Sequence, residues 1–310
     1  MEKIHKTVLL KEATDSLNVK EDGCYIDCTL GDGGNSIEIL NRLTYKGLLI
    51  SIDQDINAIN FVKEYYKEEL STHTNWKIHK SNFKDIDKIA EEYCRKADGI
   101  IMDLGISSRQ LEDSHNRGFS YLESEEPLDM RMDTSLAVTA KDLLNALSEK
   151  ELTYIFRKYG EERYSSKIAK AIKQDVSNIN TVGDLTRLIY KVIPADNSIN
   201  KNPSRRVFQA LRIVVNDEIV SLEQALDNSF KILNIGGRLV VISFHSLEDR
   251  TIKNFFNDKQ KKCEGELPLG SQFIAPTDRE VVDNPRSSSA KLRILIKLKE
   301  GNEFFKMDTK

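Results

Sequence analysis

The sequence predicts an α/β fold: a doubly wound, Rossmann-like parallel sheet with an inserted all-helical domain. Three observations predict it. Short apolar and β-branched runs alternate with segments of helical apolar spacing over about the first hundred residues. The first run, within 25–35 (YIDCTLGDGGN), breaks directly into Gly31, Gly33 and Gly34. Glycines after a strand let the backbone turn sharply and approach a ligand. From 139 to 192 helical patterns follow one another without strands, and 238–244 (RLVVISF) then resumes the alternation. The chain accordingly divides into 1–135, the first part of the sheet domain, 136–207, a helical insertion for substrate recognition, and 208–310, the second part.

In order, 5–20 reads as an extended entry and a helix, 24–30 as the first strand and 36–43 as a helix. Strands follow at 47–53, 76–79 and 97–104, with helices at 56–70 and 86–96. The run 97–104 (ADGIIMDL) is nearly all apolar, as befits a central strand covered on both faces. Residues 105–133 form a long connection with apolar anchors at Phe119, Tyr121, Leu128, Met130 and Met132, which suits an ordered active-site loop. Helices are expected at 139–147, 148–158, 161–176 and 181–192, and one long helix or a pair at 205–233. After the strand at 238–244 come a helix at 246–256, a loop-rich stretch at 257–289 and a half-exposed strand at 291–299.

Ligands of such sheets bind beyond the carboxyl ends of the strands. Asp53, Phe83 and Asp103 fall at such ends, with Asp53 about twenty residues beyond the glycines, the spacing of an acid that binds ribose hydroxyls. The dinucleotide fingerprint G-x-G-x-x-G fails at its third glycine, which is Ser36. Asp27 inside the first strand is a poor neighbour for a pyrophosphate and a good one for an ammonium group. S-adenosylmethionine offers an ammonium, a ribose diol and an adenine without phosphate, and it fits this pattern better than NAD. Asp27 capping neighbouring backbone is the plainer alternative. Phe83 offers a face for adenine stacking or ordinary core packing.

The 310 residues are 39% hydrophobic and 31% charged, enough for a substantial core. A net charge of −3 excludes a generally basic nucleic-acid binder, so any such contact needs a local patch. No apolar run reaches membrane-spanning length, and the N-terminus lacks the apolar stretch of a signal peptide. Cys24, Cys28, Cys94 and Cys263 show no metal or disulfide spacing, so the reducing cytoplasm is the expected location. No metal site is expected.

More specific stretches are 5–12 (HKTVLLKE), 27–34 (DCTLGDGG), 53–55 (DQD), 103–111 (DLGISSRQL), 117–120 (RGFS) and 127–133 (PLDMRMD). They continue with 160–163 (GEER), 208–213 (FQALRI), 242–250 (ISFHSLEDR) and 284–293 (NPRSSSAKLR). In this order they resemble the RsmH/MraW family of small-subunit ribosomal RNA (cytosine-N4)-methyltransferases, over nearly the whole chain. The resemblance implies a Rossmann-like methyltransferase sheet, S-adenosyl-L-methionine as donor, and the exocyclic amine of a cytidine in the decoding region of 16S rRNA as acceptor. It carries cofactor contacts onto Gly33, Gly34, Asn35, Asp53, Phe83, Asp103 and Gln110. Asn35 stands where the family usually has His, and Ser288 where it tends to have Arg.

Methyl transfer to an amine is a direct displacement governed by alignment. A hydrogen-bond acceptor at the amine localises its lone pair. Asp103 is the first candidate for that role, against cofactor binding alone. His245, beyond the fifth strand, is a candidate base contact or proton acceptor, or part of a helix-capping turn with Ser246 as cap and Asp249 three residues on. Two basic stretches are candidate phosphate contacts: Arg187, Lys191, Lys201, Arg205, Arg206 and Arg212 against Asp196, and Arg286, Lys291, Arg293, Lys297 and Lys299. The target base is expected extruded, with the helical insertion helping to hold the RNA. The substrate partner is then the small-subunit rRNA or the small ribosomal subunit; the oligomeric state stays open, a homodimer among the options. A NAD-dependent oxidoreductase and a non-catalytic RNA-binding assembly factor are the competing readings. Ser36 with Asp27 disfavours the first, and the intact Asp53, Asp103 and Gln110 disfavour the second.

Overall fold

The structure is a computed structural model that describes residues 6–94, 96–112, 117–193 and 202–300. His5, His115, Asp196 and Lys201 lie outside them. The chain forms two compact units, Met1–Gly105 with Ser221–Lys310, and Ile106–Val220.

The first unit begins with α1 (Leu10–Leu17), then β1 (Cys24–Asp27), α2 (Gly34–Leu40), β2 (Leu48–Asp53), α3 (Ile56–Tyr65), α4 (Lys67–Thr72), β3 (Trp76–Lys80), α5 (Ile86–Tyr93) and β4 (Ala97–Asp103). The expected helix at 56–70 is broken at Tyr66, whose φ of −101° and ψ of 34° leave the helical region. β1 ends at Asp27, yet its continuation stays tied to its neighbours, with Cys28 N–H on the Ile101 carbonyl at 2.9 Å and Leu30 N–H on that of Ile52 at 2.9 Å.

The second unit holds α6 (Ser108–Glu112), α7 (Ala140–Ala146), α8 (Glu149–Lys158), α9 (Ser165–Asp175), α10 (Val182–Val192) and α11 (Ser204–Val215). Thr139, Ser148 and Thr181 start α7, α8 and α10 with reciprocal capping boxes. Its core joins Phe119, Leu128, Met130 and Met132 of the long connection to α7–α11, including Val207, Phe208 and Leu211. The expected 136–207 insertion is therefore widened at both ends. Inside it, Asn216 fixes the connection: its Nδ2 donates to the Met130 carbonyl and its Oδ1 accepts from Met132 N–H, both at 2.7 Å.

The 205–233 stretch is a pair of helices, parted at Asn216 and Asp217, where Asp217 takes a positive φ of 51°. After α12 (Glu218–Ile232) come β5 (Leu233–Ser243), α13 (Ser246–Lys261), β6 (Gly265–Glu266), α14 (Asp278–Asp283) and β7 (Lys291–Lys297). The seven strands run in the order β3-β2-β1-β4-β5-β7-β6. β1 to β5 are parallel, and β7 runs antiparallel to β5 and β6. The sheet is thus Rossmann-like but mixed. Gly236 and Gly237 do not precede the fifth strand. They form an irregularity within it, where the register with β4 jumps from Ala97↔Leu233 to Gly99↔Arg238.

β7 departs from the expected half-exposed strand. Leu292 to Leu295 are buried in succession, and Lys297 is fully buried. The Lys297 ammonium replaces water with internal acceptors: the Leu233 carbonyl at 2.9 Å, that of Lys231 at 3.3 Å and Glu300 Oε2 at 2.7 Å.

Candidate active site

β1 to β5 end together because they are parallel, so the turns after them share one edge of the first unit. After β1 the chain enters the glycine turn. Gly33 caps α2 with φ 86°, and a Cβ there would lie 2.8 Å from the Tyr66 ring. A Cβ on Gly34 would lie 1.9 Å from Thr7 Oγ1. The turn therefore needs glycine for both conformation and space. Asn35, next along α2, is buried, and its Oδ1 has no hydrogen-bond partner among the described residues.

Asp27 does not present itself to a ligand. It is fully buried, its Oδ1 accepts from Thr29 N–H at 3.0 Å, and its Oδ2 accepts from the Ser36 hydroxyl at 2.6 Å. Burial raises its pKa above 3.8. The ammonium-partner role expected for it gives way to the capping alternative. Ser36 Oγ also lies 2.7 Å from Ser51 Oγ, which accepts from Trp76 Nε1 at 2.9 Å. This buried network explains why the third fingerprint position holds serine.

Asp53 ends β2. Its Oδ2 accepts from Gly31 N–H at 2.9 Å and its Oδ1 from Asp55 N–H at 2.8 Å. Burial pushes its pKa up to about 6, and the Asp55 and Asp27 charges add to the rise against these hydrogen bonds. A carboxylate has about four lone-pair directions, so this one is aimed by the glycine turn and keeps capacity for a diol. Phe83 opens a one-turn 3-10 helix after β3 and is half-buried against the core beneath the sheet.

Asp103 ends β4, where its backbone N–H donates to Thr29 Oγ1 at 2.7 Å. Its Oδ1 is buried and has no hydrogen-bond partner among the described residues. Burial raises its pKa to about 8, with the Asp27 and Glu248 carboxylates repelling its charge. Such an orphaned acceptor costs about 1–3 kcal/mol unless something binds it, which makes it a mark of function.

His245 is itself the N-cap of α13, one residue before the expected Ser246. Its Nδ1 accepts from Glu248 N–H at 3.3 Å, and Glu248 Oε2 accepts from the N–H groups of Phe244 and His245 at 2.8 and 3.2 Å. Asp249, expected as the capping acid, instead pairs with Lys291 at 3.0 Å and Arg293 at 2.7 Å. Gln110 belongs to the second unit. On α6 its Oε1 accepts from Ser107 N–H at 2.9 Å, and its own N–H donates to Ser107 Oγ at 3.1 Å.

The structure thus brings Gly33, Gly34, Asn35, Asp53, Phe83, Asp103 and His245 to one edge of the first unit. Thr7, Thr29, Tyr66 and Glu248 support them and escaped the sequence reading. Thr7, Thr29 and Glu248 lie inside the motif stretches, but a hydroxyl that props up a strand end has no period to reveal it. S-adenosylmethionine suits this edge by three features: a glycine cradle, an aimed carboxylate, and buried acceptors left open on Asn35 and Asp103.

The basic stretches fare unevenly. Lys291, Arg293 and Lys297 spend their charges on Asp249, on the Ser271 and Gln272 carbonyls, and on Glu300. Arg212 is clamped to Glu218 at 2.7 and 2.8 Å. Arg187 pairs with Asp184 at 2.5 Å. Lys191, Arg205, Arg286 and Lys299 are exposed, as is Arg206, 4.0 Å from Glu162. Among the described residues no helix is long and apolar enough to cross a membrane.

The family model described as the MraW methylase family matches residues 2–298. A Clostridium botulinum protein called ribosomal RNA small subunit methyltransferase H is 45% identical over 315 residues, spanning 96% of this chain and 100% of that one. A Fusobacterium nucleatum protein of the same name is 45% identical over 95% of this chain and 98% of its own. Among solved structures, a putative rRNA-methylase from Clostridium thermocellum matches at TM-score 0.48 and 11% identity, over 96% of this chain and 100% of that one. The match to the family model over nearly the whole length, on a Rossmann-like sheet whose strand ends carry the expected acids, shows that this chain belongs to the MraW methylase family.

Proposed function

We propose that the protein transfers a methyl group from S-adenosylmethionine to the exocyclic N4 amine of a cytidine in the decoding region of small-subunit (16S) ribosomal RNA, in the cytoplasm. The names of its relatives support small-subunit rRNA as substrate. The observation that carries the chemistry is the orphaned, buried Oδ1 of Asp103 at the end of β4.

Gly33, Gly34, Asn35, Asp53 and Phe83 hold the donor in this reading, and Asp103 serves both donor and acceptor. S-adenosylmethionine supplies a methyl group activated by a sulfonium. Asp53 receives the ribose hydroxyls, because the Gly31 and Asp55 amides fix its orientation. Asp103 accepts a hydrogen bond from the amine, which localises a lone pair otherwise delocalised into the ring. The helical unit contributes to RNA binding through its exposed Lys191 and Arg205.

The test is methyl transfer from labelled S-adenosylmethionine to small subunits isolated from a strain lacking the gene, with nucleoside analysis. Label in N4-methylcytidine at one site is the expected result. Label in any other nucleoside overturns the assignment of N4, and cofactor binding without transfer to rRNA overturns the substrate.

A further inference from the structure

Histidine at the end of β5 is an obvious candidate base, but its hydrogen bonding argues otherwise. The amide of Glu248 can only donate, and it donates to His245 Nδ1. Nδ1 therefore presents a lone pair, and the proton of the neutral ring sits on Nε2. Nε2 is buried and has no hydrogen-bond partner among the described residues. It lies 3.1 Å from Glu248 Oε1, off the angle that a hydrogen bond needs. Glu248 cannot swing away freely, since its other oxygen holds two backbone N–H groups.

An unpaired donor thus stands beyond β5, and an unpaired acceptor, Asp103 Oδ1, ends the adjacent β4. The two strands are in register at Asp103↔Ile242, three residues before His245, and the Leu104 amide donates to the Ile242 carbonyl at 3.0 Å. A donor beside an acceptor complements the N3/N4 edge of cytosine, where N4 donates and N3 accepts. Uracil reverses both positions.

We propose that His245 donates its Nε2 proton in a hydrogen bond to cytosine N3, and so directs methylation to N4 rather than to N3. This rests on the proposed reaction at a cytidine. The ring nitrogen N3 carries an in-plane lone pair and is intrinsically the stronger nucleophile of the amidine. Occupying that lone pair with a hydrogen bond removes the competing product, and the same bond fixes the base so that N4 meets Asp103. In the favoured step the N4–CH3 bond forms as the S–CH3 bond breaks, and the bonding pair stays on sulfur. One N4 proton leaves to Asp103 and then to solvent. His245 is a specificity-determining residue here and accepts no proton.

The experiment compares wild type with His245→Asn on small subunits lacking the mark, and separates N4-methylcytidine from 3-methylcytidine. Asparagine is a good N-cap, so the start of α13 is kept while the reach to N3 is lost. The expected result is a rise in the N3:N4 product ratio on the order of tenfold, the worth of one hydrogen bond. An unchanged ratio at lowered rate overturns the inference and leaves the proposed reaction standing. Absence of any methylcytidine from wild type overturns both. A second measurement needs no variant: 15N NMR of the full-length protein must show the His245 ring protonated on Nε2, and a proton on Nδ1 overturns the inference.

Discussion

At the scale of single residues, Asp103 has the most to test. Burial first, and then the Asp27 and Glu248 carboxylates, hold it at about 8 against 3.8 for a free aspartate. At neutral pH the resting protein therefore keeps it largely protonated, and only the ionised form accepts a proton from the amine. kcat/KM is expected to rise with pH through about 8, and Asp103→Asn is expected to remove that limb and lower kcat by about 10²–10⁴-fold. A wild-type profile that is flat between pH 6 and 9 would exclude Asp103 as acceptor. The stability effect has the opposite sign. Between 3.8 and about 8 the folded state binds the proton that the unfolded chain has released, so the native state loses stability as pH rises through this window. Asp103→Asn is expected to raise Tm more at pH 9 than at pH 5, measured by thermal melts. Asp103 was legible in the sequence because a lone acid closing an apolar run marks a strand's carboxyl end. For Asp27 the sequence offered backbone capping only as one of two alternatives. Its bond to Ser36 was not legible, since it joins elements that only the fold brings together.

At the scale of elements, the glycine turn and its buried network make two further predictions. Ser36 joins Asp27 to Ser51 and Trp76. Ser36→Ala would leave a buried carboxylate oxygen without its donor, with an expected loss of about 1–3 kcal/mol in a denaturant titration. A loss below about 0.5 kcal/mol would mean that the network is not needed. Gly33→Ala would force a side chain onto φ 86° against the Tyr66 ring. The left-handed conformation alone costs about 1–2 kcal/mol, and calorimetry is expected to show cofactor binding weakened or lost. The positions of most strands and helices were readable from period and spacing, because burial on one or two faces dictates both. The strand order is set by pairing between distant segments and has no such period. The start of α13 was misread by one residue, since histidine does not advertise itself as a cap. β7 was misread because Lys297 looked like the wet face of an alternating strand, while the carbonyls that bind it come from the far end of α12 and the start of β5.

At the scale of the whole molecule, a net charge of −3 makes the placement of each cation matter more than the count. Sequence density alone ranked 286–299 beside 187–212 as a phosphate surface. Folding sorts these cations differently, because an ammonium or guanidinium already bonded to internal acceptors gains little from a phosphate. Lys297 is fully buried and satisfied by two carbonyls and Glu300. Lys297→Met would leave the Leu233 carbonyl without that donor, so it is expected to lower stability by about 1–3 kcal/mol and to leave the salt dependence of rRNA binding unchanged. Arg205 is exposed on α11. Arg205→Ala is expected to leave Tm within about 1–2 °C and to reduce the slope of log K against log salt by about 0.7–0.9, the signature of one lost phosphate contact. Filter binding to small-subunit rRNA across a salt series, run for both variants, separates the two classes of cation. A changed slope for Lys297→Met with an unchanged one for Arg205→Ala would put the RNA on the edge of the sheet instead of on the helical unit.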